Sequence, residues 1–192
     1  MRANKVVFFF LVCLFFAKDT SFSDWINSEK SLFGQYFKAE FEFNDTKSNV
    51  DIPIVLYVDN QNKKFRLEVE DKIIVSDTIT WKSLLEKSNQ IFIQSVSKNE
   101  RLYFKLLSKE YLVKSFFKEE VKNDLNSFHF YLEEISCLMK VYVNESSIIN
   151  HINFEINGNN FNINNLYVSN DFDSSSVFKL QEEDFIIFDL RE

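Results

Sequence analysis

KKFRLEVEDKIIVSDTITW, Lys63 to Trp81, holds the pattern from which the rest of the chain can be read. Phe65, Leu67 and Val69 alternate with Arg66, Glu68 and Glu70, a period of two that puts apolar side chains on one face of a strand. Glu70-Asp71 forms a tight acidic turn, and Lys72 to Ser76 returns as a second strand ending in Val75-Ser76-Asp77. The stretch contains strands and a turn but no nucleophile set beside a base. It predicts a wall.

The same period spreads outward. Phe37, Ala39, Phe41 and Phe43 alternate with Lys38, Glu40, Glu42 and Asn44, followed by a polar turn through Asn49. From Ile52 to Val58 both faces are apolar, with Ile54, Leu56 and Val58 on one and Val55 and Tyr57 on the other. Trp81 to Ser88 reads as a short helix or helical loop, and Ile91 to Val96 as a strand. Leu102 to Leu107 fits either period, and so does Tyr111 to Phe117, which leans towards strand. The last third is a meander: Phe128–Glu133, Leu138–Val143, His151–Asn157, Phe161–Val168, Val177–Leu180 and Phe185–Leu190. Asn157-Gly158 is its clearest hairpin signal, since both residues tolerate positive φ. Phe161 and Ile163 change parity to Leu166 and Val168 across Asn164-Asn165, which predicts a bulge. Near the start, Asp24 can cap a helix carrying Trp25, Ile26, Glu29, Leu32 and Phe33. The expectation is a mainly β fold: one antiparallel, incompletely closed β-barrel of about eleven strands, with short α-helices forming a lid over an apolar cavity.

Composition bounds the function. Arg2 and Lys5 precede a twelve-residue apolar run, Val6 to Ala17, which is short for a membrane span. Ser21-Phe22-Ser23 offers a cleavage site before Asp24, so residues 1–23 are expected to be a signal peptide and 24–192 one domain. Cys13 lies within the apolar run behind the branched Val12 and is not expected to carry lipid. The chain has charge −7, and losing Arg2, Lys5 and Lys18 with Asp19 takes it to −9. That argues against nucleic acid as a partner and against tight adhesion to anionic lipid headgroups. Cys137 is then the single thiol, so no internal disulfide forms. Two Gly and one Pro in 192 residues leave no room for a phosphate-cradling glycine loop.

Motifs for chemistry are sparse. His129 and His151 are the only histidines and lack ligand spacing, so no metal is expected. Asp171 and Asp173 in NDFDSSS lack the Gly and terminal Glu of a calcium loop. There is no Gly-x-Ser-x-Gly elbow and no carboxylate in an evidently apolar setting. Neither a cofactor nor an enzymatic activity is expected. What remains is apolar surface suited to an apolar ligand. The candidate lining is Phe41, Phe43, Ile54, Leu56, Val58, Phe65, Leu67, Trp81, Phe92, Phe104, Phe130 and Phe154.

Phe65-Arg66-Leu67-Glu68, followed by Ile73-Ile74-Val75-Ser76-Asp77 and Trp81, resembles the outer-membrane lipoprotein carrier (LolA) family. Phe33-Gly34-Gln35-Tyr36-Phe37 is similar to its first helix and strand, and Phe178-Lys179-Leu180 with Phe185-Ile186-Ile187-Phe188-Asp189 to its closing stretch. Thr78 stands where the family has Gly, Trp81 is one residue closer to the Asp, and Gln181 and Glu182 replace prolines. The family's functional Arg falls at Asn60, in a turn without positive charge. The resemblance implies a monomeric periplasmic chaperone of a Gram-negative bacterium. It would take the acyl chains of lipoproteins from an inner-membrane ABC transporter and pass them to an outer-membrane acceptor lipoprotein. Two alternatives stay open: a half-barrel sensor or scaffold domain that binds a membrane-protein or lipid partner without cargo transfer, and a periplasmic hydrolase.

Overall fold

The computed structural model describes residues 21–28, 36–47, 50–98, 100–106, 108–122 and 125–191. The expected leader up to residue 20 and the continuation of the first helix through Leu32 and Phe33 lie outside them. Twelve strands form one sheet: β1 Tyr36–Asp45, β2 Val50–Asp59, β3 Lys64–Val69, β4 Lys72–Ser76, β5 Thr80–Leu85, β6 Gln90–Ser95, β7 Phe116–Lys122, β8 Leu125–Leu132, β9 Cys137–Val143, β10 Ile149–Ile156, β11 Asn159–Ser169 and β12 Ile186–Asp189. Their spatial order is β12-β6-β5-β4-β3-β2-β1-β11-β10-β9-β8-β7. Two meanders, β1–β6 and β7–β11, are therefore joined where β1 pairs with β11, and the sheet ends on β12 and β7 without closing. The result is an open half-barrel.

The first eleven strands pair antiparallel, as their short turns allow, but β12 pairs parallel to β6, Phe188 opposite Phe92. A parallel partner needs a crossover connection. Residues 170–185 supply it, crossing the outer face from the end of β11. Within them Asp173 caps a single helical turn, α4 Ser174–Val177, so no strand forms over Val177–Leu180 as the sequence had suggested. The side chain of Phe172 packs edge-on against Tyr36 and Tyr57, Arg66 Nη1 donates to the Val177 carbonyl at 3.1 Å, and Leu180 and Phe185 cover Leu84, Ile91 and Ile93. This explains the strands that read as apolar on both faces.

Three further elements differ from the sequence reading, the first because of that double burial. Trp81–Ser88 is not helical at its start; β5 runs to Leu85, with Trp81 inward and Leu84 outward under the C-terminal segment, before a 3₁₀ turn at Glu86–Ser88. The ambiguous stretch is helix α2, Arg101–Leu106. Lys109–Ser115 is helix α3 rather than strand, with Leu112 as its one buried residue and the Glu110–Lys114 ion pair at 2.7 Å one turn apart. The strand expected there begins only at Phe116.

Turns obey the local chemistry. Asn157 and Gly158 have φ of 51° and 74°, the geometry of a two-residue hairpin. Asn165 at φ 52° is the extra residue where pairing shifts between Glu40/Tyr167 and Glu42/Asn164. The first helix, α1 Phe22–Asn27, is capped by Ser21, whose Oγ accepts from the Asp24 amide at 3.2 Å; Asp24 lies within the first turn instead of capping it. Phe22 stacks on Phe116 at 3.9 Å between ring centres, and Trp25 is fully buried against Phe128. The cleavage point expected before Asp24 thus falls inside this helix. A chain starting at Asp24 loses the cap and the Phe22 packing, and should be less stable than one starting at Thr20 by about 2–4 kcal/mol, measured by urea unfolding.

Candidate functional site: an apolar trough under three helices

In a sheet, directly paired residues point to the same side, so the register assigns every side chain to a face. One face, the inner one, carries helices α1, α2 and α3. Following the pairs Phe154–Phe161, Phe43–Ile163, Phe41–Ile54, Leu56–Leu67, Val58–Phe65, Ser76–Trp81 and Ser83–Phe92 puts all these residues on that face. Phe130, opposite Met139 and beneath Phe22, joins them. Phe104 reaches the same face from α2, 5.2 Å from the Phe65 ring. The twelve residues singled out from the sequence are therefore brought together on one surface.

Burial along that surface is graded. Phe37, Ala39, Val58, Phe65 and Trp81, at one end of β1, β2, β3 and β5, are closed over and form a core with Phe104. Phe128, Phe130 and Met139 are closed over by Trp25, Ile26 and Leu112. Towards the other end of the strands burial falls away: Phe41, Phe43, Ile54, Leu67, Phe92 and Phe154 are only half-buried. Ile52, Val69, Leu85, Phe161 and Ile163 belong to this open half as well and were missed from the sequence. Four of the five could have been found by carrying the alternation one step further; Leu85 was hidden by the helical reading of its segment. Phe43 and Phe161 stack at 5.5 Å, so the trough is continuous across the junction between the two meanders.

The closed end opens at its rim into a cavity of about 910 Å³ between the β2–β3 hairpin and helices α2 and α3. Phe104 and Tyr111 give it apolar walls, and Asn60, Lys63, Arg101, Lys105 and Lys109 ring it. Asn60 itself brings no charge, but its neighbours do. The Tyr111 hydroxyl donates to Glu134, and Lys105 bridges the same carboxylate at 3.1 Å. The Tyr111 hydrogen bond foremost holds the Glu134 carboxyl down at about 2, while burial and that carboxylate push the Tyr111 phenol up to about 12.

Groups suited to chemistry are dispersed. His129 is buried on the outer face beside Ser127 and Glu120, and desolvation lowers its pKa. Burial pushes the Cys137 thiol up to about 11, which suppresses the thiolate. Among the described residues no three His, Cys, Asp or Glu side chains gather as metal ligands would. No described helix is long and apolar enough to cross a membrane.

No family model matches the sequence, and no curated protein matches it. Among solved structures, an uncharacterized conserved protein from Thermus thermophilus is 10% identical and covers 88% of this chain and 98% of its own, with a TM-score of 0.53. That likeness shows a shared fold. A DUF1329 family protein from Desulfovibrio piger is 10% identical over 81% of this chain and 92% of its own, at a TM-score of 0.40. A domain from Vibrio parahaemolyticus, described as a putative outer membrane lipoprotein-sorting protein, is 9% identical over 74% and 88%, at 0.36. Scores this low carry no argument about function.

The Tyr111–Glu134 bond predicts a pH window. Glu134 is depressed in the fold, so its contribution is full above 4.5 and is lost as pH falls through about 2. Tyr111 is raised, so its contribution is full below 10.0 and is lost as pH rises through about 12. Amide protection in Lys109–Ser115, read by hydrogen exchange, should drop on acidification across the lower window. Glu134→Gln should start from the lower protection and show no such drop.

Proposed function

We propose that this protein is a lipid-binding domain of the bacterial envelope that carries the acyl chains of lipid-modified proteins across the periplasm without catalysing a reaction. The observation that supports this reading best is the graded inner face: a continuous apolar trough, sealed at one end by helices and left half-open at the other. Monomeric proteins seldom leave a connected apolar surface of this kind uncovered unless something binds it. An extended chain of about a dozen methylenes laid there would gain on the order of 10 kcal/mol before ordering costs. Such binding needs no polar recognition by the site. In this reading an inner-membrane ABC transporter releases the cargo and an outer-membrane acceptor takes it. Direction comes from rising affinity along the route, since a carrier without an energy source can shift cargo only by differential binding.

The test is titration with a fluorescent fatty acid, followed by co-purification of the periplasmically expressed chain. The wild type should bind the probe, and Leu56→Glu, which puts a charge into the half-buried trough, should weaken it at least about tenfold, since an unpaired buried charge is costly. Glu155→Gln on the outer face should leave affinity unchanged. Gentle extraction that recovers neither an acyl ligand nor a lipoprotein would count against the carrier role.

A further inference from the structure

The cavity at the helical rim carries a charge that the rest of this acidic chain does not. Around it lie six cations, Lys63, Lys64, Arg101, Lys105, Lys109 and Lys114, against two carboxylates, Asp59 and Glu110. Both carboxylates are already engaged. Asp59 accepts from the backbone and side-chain nitrogens of Asn62 at 2.9 and 2.7 Å, closing the hairpin, and Glu110 pairs with Lys114. Lys105 is held by Glu134 and Lys109 donates to the Asn27 side-chain oxygen at 2.7 Å. Lys63 and Arg101 make no ion pair with a described carboxylate. Lys63 and Arg101 line a space bounded by Phe104 and Tyr111, and Phe104 packs on the apolar core beneath α2, whereas Lys64, paired with Asp59, points with it to the outer face. In a chain of net charge −7 such a local excess of cations beside apolar walls is a match for one kind of ligand.

We propose that this cavity binds a phosphate group carried at the head of an apolar chain, with Lys63 and Arg101 on the phosphate and Phe104 and Tyr111 against the first methylenes. Lysines serve phosphate as mobile point charges and arginine as a planar fork, so the set fits a phosphate oxygen cluster without a preformed loop. The volume, about 910 Å³, lies within the range of small-ligand pockets. The inference deepens the lipid-binding reading, on which it rests, by adding headgroup selection at the opposite end from the open trough.

The experiment compares 1-palmitoyl lysophosphatidic acid with 1-palmitoylglycerol, which lacks only the phosphate, by calorimetric titration of the full chain below micelle-forming concentrations. The wild type should prefer the phosphate lipid by about tenfold or more at low salt, and the preference should shrink as salt screens the exposed cations. The double variant Lys63→Asn, Arg101→Gln should bind both lipids equally, with its affinity for 1-palmitoylglycerol unchanged. Both positions are exposed, and Asn suits the φ of 51° at Lys63, so the fold should be kept. Equal binding of both lipids by the wild type, or a preference that survives in the variant, would overturn the headgroup site while leaving acyl binding intact. Inorganic phosphate displacing the phosphate lipid at equal concentration would assign the site to a free anion and overturn the lipid part of the proposal. Failure of 1-palmitoylglycerol to bind at all would instead overturn the lipid-binding reading on which it rests.

Discussion

The structure depends on keeping one alternation in phase through twelve consecutive strands. Side chains alternate with a period of two, so a single slip turns every later residue of a strand to the wrong face. Three extra residues prevent that. Asn165 lets Phe161 and Ile163 share the inner face with Leu166 and Val168. Asn150 does the same between Ile149 and Ile152, and Phe117 between the inward Phe116 and the outward Lys118. Each bulge also bends its strand and raises the local twist, which helps a wide sheet to curl. Without the correction at Asn165 the junction of the two meanders would expose one aromatic or aliphatic pair and bury asparagines.

Topology then decides how the two faces are covered. β6 and β7 follow one another in the chain but lie towards opposite ends of the sheet, so residues 96–115 must cross it, and they do so on the inner face as α2 and α3. The link from β11 to β12 crosses the outer face instead. The inner crossing is short and helical, and seals only one end of the strands. The outer crossing is pinned by Phe172, Arg66 and the Lys82–Glu182 ion pair at 2.6 Å, and ends by adding a strand to the edge. The half-open trough is what these two crossings leave uncovered.

Much of this was legible. The strict alternations at Phe37–Phe43 and Phe65–Val69, the Asn157-Gly158 hairpin and the parity change at Asn165 all record local rules with no competing interpretation. The rest was hidden where a strand is buried twice. Trp81, Leu84 and Leu85 look helical because Leu84 is covered by Leu180 and Phe185, contacts so distant in the chain that no local window contains them. Tyr111–Ser115 fitted either period because its apolar run, Tyr111 to Val113, is too short to show one, and its helix is fixed by one buried leucine and an ion pair. The bulge at Phe117 carries no turn residue that would mark it. Of the site, the inner-face residues followed from parity, whereas the cationic cavity joins residues of one hairpin and two helices and could not be assembled before the crossing was known. The turn at Asn60 lacks a cation in sequence, yet in space it sits among several.

The account stands on the inner face being where an acyl chain lies. Photo-crosslinking with a diazirine-bearing palmitate, mapped by peptide mass spectrometry, tests that directly. Adducts should concentrate on Phe43, Ile54, Leu67 and Phe161, with none on the outer-facing Tyr57, Lys82 and Asn153. Adducts spread evenly over both faces, or gathered under the C-terminal segment at Leu180 and Phe185, would contradict it.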